Sequence, residues 1–317
     1  MLLVEQGKST LFTDSRYTFQ AQEEVFDARI EIVKAGLIRA VGEYLRGKRR
    51  RLRLGYSPSH MTVSQKDALS GIASNIRWVP DQDAVEDLRS IKEPDELAVM
   101  REAADIIGDV FHQVLREIKA GVSELDLAAK IEYGIKQRGG SGPSFDTIVA
   151  SGPRSAWAHA QPTAKLLGKN ELVVLDQGAI LRGYCSDMTR TVYVGRAPKR
   201  VRSLYNAVLE AQQAAKSAIH PGVAAGAVDK AARAVLTRHG LARYFTHSTG
   251  HGLGLEVHEK PRLGAGEKTI LQEGMVITVE PGVYVEGFGG IRIEDDVVVT
   301  GKGSVDLTTA SRELFEL

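Results

Sequence analysis

The sequence predicts a mixed α/β fold, and three patterns carry that expectation. Short runs of β-formers alternate with helical periodicity through residues 1–90. Residues 172–195 and 275–300 each read as a hairpin, with apolar β-forming runs on both sides of a glycine-containing loop. Outside the hairpins, apolar residues recur at helical spacing over 91–107, 125–137, 201–219 and 228–239. A chain of 317 residues with this layout makes two domains, taken as 1–90 and 91–317.

Residues 2–4 and 9–13 read as two short strands. Residues 18–35 read as a helix, with Phe19, Val25, Phe26, Ile30 and Val33 roughly on one face. A helix over 38–45, a strand over 51–55, a helix over 62–71 and a strand over 77–80 follow. Residues 46–53 form the one basic run, read either as an anion or RNA patch or as a solvated helix end. The 91–107 helix carries Pro94 at an early position, and Leu97, Met100, Ala104, Ile107 and, just beyond it, Phe111 recur at helical spacing. Residues 121–124 supply a turn and N-cap for the 125–137 helix. The later helices close at Pro221-Gly222 and at Gly240, and the dipole at a helix end accounts for His220 and His239.

The first hairpin reads LVVLDQGAILRGYCSDMTRTVYVG. Asp176 and Asp187 are mirror positions about its Leu181–Arg182 centre, which makes them cross-strand partners. Two carboxylates about 4 Å apart repel by roughly 4 kcal/mol at an effective dielectric of 20, so the pattern implies a cation between them. The second hairpin, MVITVEPGVYVEGFGGIRIEDDVVVT, repeats the arrangement, with Glu280 and Glu294 mirrored about Gly287. Between the hairpins lies HSTGHGLGLEVHE, with His247, His251 and His258. Its glycines at 250, 252 and 254 allow close backbone approach. Its Gly run lacks the spacing of a dinucleotide loop. Four carboxylates with imidazole favour hard ions, Mn²⁺ first, then Fe²⁺ or Co²⁺, over thiolate-type zinc. They suit a two-metal hydrolase centre.

Composition excludes other classes. The net charge of +1 gives no case for nucleic-acid binding through charge. No apolar run is long enough to span a membrane, and the N-terminus lacks the layout of a signal peptide, so a cytoplasmic location is expected. The single cysteine, Cys185, precludes a disulfide within the chain; it reads as a packing residue, with catalysis the weaker alternative.

The ordered motifs LDxGA…SDxTRTVxVG, HSTGHGLGLEVHE, VEPGVY and IRIEDD resemble those of the pita-bread metallopeptidases. That family includes prolidase, aminopeptidase P, methionine aminopeptidase and the metal-free creatinase. The resemblance covers residues 95–317 strongly and most of 1–90 more weakly. It implies a pita-bread catalytic domain, with its two hairpins related by a pseudo-twofold, preceded by an α/β N-terminal domain. TLFTDSRYTFQAQEE resembles the central strand and following helix of that N-terminal domain. The family's domain starts further upstream, so the expectation is either a shortened sheet with an exposed edge or a start that was assigned late.

The same resemblance assigns roles. Two divalent ions are implied, Mn preferred, with Co, Fe or Zn as alternatives. Asp176 would bind one, His251 and Glu280 the other, and Asp187 and Glu294 both. A hydroxide held between the ions would attack the peptide carbonyl, and Glu280 would shuttle the proton. His159 and His258 match catalytic histidines that meet the substrate, and His247 lines the proline pocket. Arg262 matches an arginine that meets a free substrate carboxylate, with a surface-loop arginine as the other reading. Arg292 matches an arginine supporting the ligand set and is grouped with Tyr284 on the substrate side; packing is the other reading of Tyr284. Ala158 and Ala164 depart from the family pattern, where Pro and an acidic residue are common.

An N-terminal domain argues for the proline-directed branch over methionine aminopeptidase, and the intact ligand set argues against creatinase. The implied activity is hydrolysis of Xaa-Pro peptides by an Xaa-Pro dipeptidase acting as a homodimer on small peptides, with no nucleic-acid or membrane partner. Aminopeptidase P, acting on longer peptides, is the alternative. A non-enzymatic binding protein on the same fold is the reading from a different class.

Overall fold

Strands β1 (Leu2–Glu5) and β2 (Lys8–Asp14) pair antiparallel, with Glu5 opposite Lys8 and Gly7 (φ 75°) completing the tight turn. This computed structural model describes residues 1–34, 36–48, 51–81 and 83–317. The chain divides into two units, Met1–Val85 and Glu86–Leu317.

The first unit departs from the expectation for residues 18–35. Helix α1 spans only Thr18–Glu24, and Arg29–Val33 is strand β3, parallel to β2 with Leu11 opposite Ile30. Phe19 and Phe26 are 82% and 87% exposed, so the apolar spacing does not define a buried helix face. The β-branched alternation of RIEIV prevails because its partner strand is already in place. Ala35 lies outside the described residues. Helix α2 (Leu37–Arg46), strand β4 (Leu52–Tyr56), helix α3 (Val63–Ile72) and strand β5 (Ile76–Pro80) follow, and β4 and β5 pair in parallel. Thr62 and Gln65 form a capping box on α3. Phe12, Val41, Leu45 and Leu69 make the core of this unit. Of the basic run, Arg46 ends α2 and Arg53 lies in β4; Arg49 and Arg50 lie outside the described residues.

Helix α4 (Ala84–Ser90) leads into the second unit. Helix α5 begins at Pro94, three residues later than the expected 91–107 span, and continues to Leu115. Pro94 occupies the first turn, and the reciprocal Glu93–Glu96 capping box starts the helix there. Helix α6 (Glu124–Gln137), capped by Ser123, follows. Next come β6 (Gly142–Pro143), β7 (Ile148–Ser151), β8 (Glu171–Gln177), β9 (Ala179–Leu181), β10 (Tyr184–Cys185) and β11 (Met188–Val194). The order β11-β8-β7 forms one antiparallel sheet. Ile107, Phe111, Leu127 and Ile131 of α5 and α6 pack on its Val173, Leu175 and Val192.

The second half repeats this plan of two helices and then an acidic hairpin. Helices α7 (Lys199–Ser217) and α8 (Ala225–Arg238) precede β12 (Gly250–Gly252), β13 (Glu259–Leu263), β14 (Val276–Val279), β15 (Gly282–Val285), β16 (Gly289–Arg292), β17 (Asp295–Thr300) and β18 (Gly303–Asp306). Val208, Ala211 and Val235 pack against Ile277, Val279 and Val297 of the sheet β13-β12-β14-β17-β18. The central strands β14 and β17 bury both faces, Ile277 and Val297 against α7 and α8, and Val276 and Val298 against Met100 and Ala104 of α5 and Cys185. The glycine expectation for 250–254 has a steric basis. A Cβ on Gly250 would stand 2.0 Å from Thr278 O, and one on Gly252 would stand 2.0 Å from Lys260 O.

The two hairpins differ in register. In the second, Gly282 pairs with Arg292 and Val276 with Val298, which puts Glu280 and Glu294 in mirrored positions about Gly287. In the first, Asp176 faces Thr189, not Asp187. The turn centres on Arg182 (φ 48°) and Gly183 (φ 89°), a type I′ geometry, one residue beyond the expected Leu181–Arg182 centre. That displacement of the centre shifts the mirror partner by two residues.

Candidate metal centre

The acidic side chains stand where strands begin or end. Asp176 is next to last in β8, Asp187 precedes β11, Glu280 follows β14, and Glu294 precedes β17; His251 is the middle residue of β12. Backbone bonds join the second hairpin to the first and to the histidine segment at this level. Glu294 N donates to Thr189 O at 3.1 Å, and Glu280 N donates to Thr249 O at 2.8 Å. Asp187 N donates to Asp296 Oδ2 at 2.8 Å. Arg190, fully buried against Asp295, donates to the carbonyls of Thr189 and Glu294. Carboxylates far apart in sequence are thereby brought into one cavity of about 500 Å³.

Asp176, Asp187, His251, Glu280 and Glu294 all line that cavity. His251 Nε2 lies 3.7 Å from Asp187 Oδ2 and 3.5 Å from Glu280 Oε1. One donor atom each from Asp187, His251 and Glu294 lie within 4.8 Å of one another. Burial, then the neighbouring Glu294 and Asp176 carboxylates, push the Asp187 carboxyl well above its ordinary range. Burial, followed by Glu280 and Asp176, does the same to Glu294. Burial raises Glu280 to about 7 even though Arg292 opposes it. Burial also pulls His251 down to about 4, so its ring is neutral at pH 7.

This donor set fits divalent metal. The carboxylates repel one another at close range, and the imidazole is in its ligating form. Asp176 Oδ1 is buried without a hydrogen-bond partner, which leaves an acceptor directed at no protein group. Arg292 is 3% exposed and braces the cluster. It donates to Asp176 Oδ2 at 2.5 Å, Thr189 Oγ1 at 2.9 Å, the Ala158 carbonyl at 3.1 Å and Tyr284 Oη at 2.6 Å. The Tyr284 hydroxyl also lies 2.9 Å from His247 Nε2.

His159, His247, His258 and Arg262, expected to meet substrate, share the cavity lining with Arg292. Tyr284 reaches this group through His247 and Arg292. The rings of His251 and His258 meet edge-on at 4.3 Å. Burial lowers His247 to about 4, with Arg292 adding to the effect. Burial, then His159, lowers His258. Cys185 packs with Met100, Leu253 and Val276, and burial pushes its thiol up to about 12, which suits a packing residue.

Several supporting residues stand out only in the folded chain. Thr189 accepts from Arg292 and donates to Glu294 Oε2 at 2.5 Å. Asp296 receives the Asp187 amide, and Asp229 on α8 accepts from Thr249 N at 3.2 Å. One signal was available for Asp296, since consecutive acids ahead of an otherwise apolar Val-rich strand need partners. Thr189 and Asp229 carried none.

A two-helix-plus-hairpin plan used twice around a buried carboxylate and histidine centre defines a pita-bread metallopeptidase. Residues 98–301 match metallopeptidase family M24, residues 1–91 match the creatinase/prolidase N-terminal domain, and the chain belongs to family M24. An Xaa-Pro dipeptidase of Pyrococcus furiosus is 44% identical over 233 residues, covering 74% of this chain and 67% of that protein. The solved Xaa-Pro dipeptidase from Bacillus anthracis superposes with a TM-score of 0.95 at 37% identity, covering 100% of this chain and 88% of the other. The X-Pro aminopeptidase from Thermotoga maritima gives 0.93 at 35% identity, covering 100% and 90%.

Proposed function

We propose that this protein is an Xaa-Pro dipeptidase that removes the N-terminal residue from Xaa-Pro peptides. The carrying observation is the convergence of four carboxylates and His251 in a cavity also lined by His159, His247, His258 and Arg262. Asp176 would hold one divalent ion, His251 and Glu280 the other, and Asp187 and Glu294 both. Bound there, the ions supply Lewis acidity and make water a nucleophile near neutral pH.

The chain's own groups do the rest. Glu280 takes a proton from the attacking water as the new C–O bond forms, and returns it to the proline nitrogen as the C–N bond breaks. His258 and His159 hydrogen-bond the scissile carbonyl and the bound peptide. His247, held by Tyr284, faces the proline ring. Arg262 pairs with the free carboxylate of a dipeptide.

Mn²⁺ is the preferred ion, because oxygen donors outnumber the single ligating imidazole; Co, Fe and Zn are alternatives. A cytoplasmic location is part of the reading. A homodimer, a catalytic domain starting at residue 91 and small-peptide substrates complete the reading.

The test is a paired assay of Mn²⁺-loaded protein on an Xaa-Pro dipeptide and the matching Xaa-Pro-Yaa tripeptide, with Asp187→Ala as control. Faster dipeptide cleavage is expected. Preference for the tripeptide transfers the reading to aminopeptidase P, which the likeness to the Thermotoga maritima structure keeps as the second reading. Turnover of neither, with metal bound, rejects both.

A further inference from the structure

Glu124 is fully buried at the first turn of α6, its side chain bonds to Ser151, Arg154 and Thr163, and the chemistry above does not use it. An ionised carboxylate is costly to bury unless its acceptor sites are filled. Here they are filled by a single loop, from both of its ends. Oε1 accepts from Ser151 N at 2.9 Å and from Ser151 Oγ at 2.8 Å. Oε2 accepts from Thr163 N at 3.1 Å and from Thr163 Oγ1 at 2.8 Å. Arg154 Nε adds the counter-charge, 3.1 Å from Oε2. Arg154 also crosses the loop to donate to Gln161 O at 2.5 Å.

The segment closed in this way supplies Ala158, His159 and Gln161 to the cavity wall. Its first half is a 3-10 turn, Gly152–Ala156, that packs on β16, and the stretch carrying His159 is held locally by the bond from Ala160 N to Trp157 O at 3.1 Å. The Ala158 carbonyl accepts from Arg292, and Ser155 Oγ accepts from Gly290 N at 2.9 Å. His159 itself is exposed. A short loop whose tip must present a side chain to substrate needs its ends held, because a small angular error at the base becomes a displacement at the tip.

We infer that Glu124 is a positioning residue for substrate recognition: by tying Ser151 and Thr163 together, it sets where His159 stands in the cavity. The inference rests on the substrate-side role given to His159 above. Glu124 contacts none of the proposed metal ligands, so its effect falls on substrate and not on metal.

The experiment compares wild type, Glu124→Gln, His159→Ala and the double variant, all Mn²⁺-loaded. Glu124→Gln keeps the shape but loses the charge and part of the acceptor set. Expected is a fall in kcat/KM of about 10–100-fold on the Xaa-Pro dipeptide, as for a displaced positioning group, with unchanged Mn²⁺ affinity by calorimetry. In the His159→Ala background the same change should add less than about threefold, because groups acting through one another are not additive. Hydrogen exchange should show lost protection confined to residues 152–163. Additive losses, or unchanged exchange in that segment, overturn the inference. Should Glu124→Gln fail to fold, Thr163→Val loosens one end alone and is held to the same exchange and cycle criteria. The exchange result is independent of turnover, so it supports or overturns the tie between Glu124 and the loop even in a protein that cleaves no Xaa-Pro peptide.

Discussion

Arg292 places a guanidinium nitrogen 2.5 Å from Asp176 Oδ2, and the same guanidinium reaches Thr189, Ala158 and Tyr284. A planar fork satisfies these directions together, and an ammonium does not. Arg292→Lys is therefore expected to weaken Mn²⁺ binding about 10–100-fold, the usual cost of removing a partner that orients a ligand. Calorimetric titration with Mn²⁺ checks this. Wild-type affinity in the variant would mean that Asp176 needs no brace.

Asp187 is buried against Glu294 and Asp176, and burial and these carboxylates raise its carboxyl. Asp187→Asn removes one charge from that repelling group. The metal-free variant is expected to melt higher than the metal-free wild type at pH 8, by about 2–4 °C per kcal/mol of repulsion relieved. It should also lose the stabilisation that Mn²⁺ gives the wild type, together with activity. A lower melting temperature without metal would show the carboxylate to be structurally required.

The same cluster sets a pH dependence for the metal-free protein. An acid whose folded pKa is raised contributes stability at low pH and loses it as pH rises through the folded value. Glu280 is raised to about 7, and Asp187 and Glu294 are raised as well. His247 and His251, lowered to about 4, and His258, also lowered, act in the opposite sense, but their gain tapers off as pH rises past the unfolded value of about 6.5 while the carboxylates go on ionising. Between pH 6.5 and 8, metal-free protein is expected to lose stability as pH rises, and saturating Mn²⁺ should flatten the slope. Urea titrations at both pH values measure it; a rise in stability would contradict the assignment.

Arg262 is exposed on the cavity wall. A charge-assisted hydrogen bond to a substrate carboxylate is worth about 1.5–3 kcal/mol. Arg262→Ala is expected to lower kcat/KM for the dipeptide by about 10–150-fold and to change the tripeptide far less. Equal losses on both would remove the carboxylate contact.

Gly178 follows the strand that carries Asp176. A Cβ there would stand 1.9 Å from Ser144 Oγ and 2.1 Å from the Ser186 carbonyl. The serine can rotate away, but the backbone cannot. Gly178→Ala should lower the melting temperature and Mn²⁺ affinity together, as thermal melts with and without metal would show. A wild-type melting curve would mean the backbone gives way at little cost.

The sequence by itself determined the α/β class, the two acidic hairpins and the oxygen-rich donor set. These follow from short-range periodicity and from charge placed where an uncharged sheet has no use for it. The tertiary structure decided the rest. It set Asp176 opposite Thr189 through the Arg182–Gly183 turn, and it ended α1 at Glu24 because β2 offered Arg29–Val33 a partner. It also joined Asp187 to Asp296 across 109 residues and tied Glu124 to both ends of the His159 loop. The physical reason is that a buried polar group is stabilised by whichever partner the fold delivers. Residues far apart in sequence carry no local periodicity that names that partner.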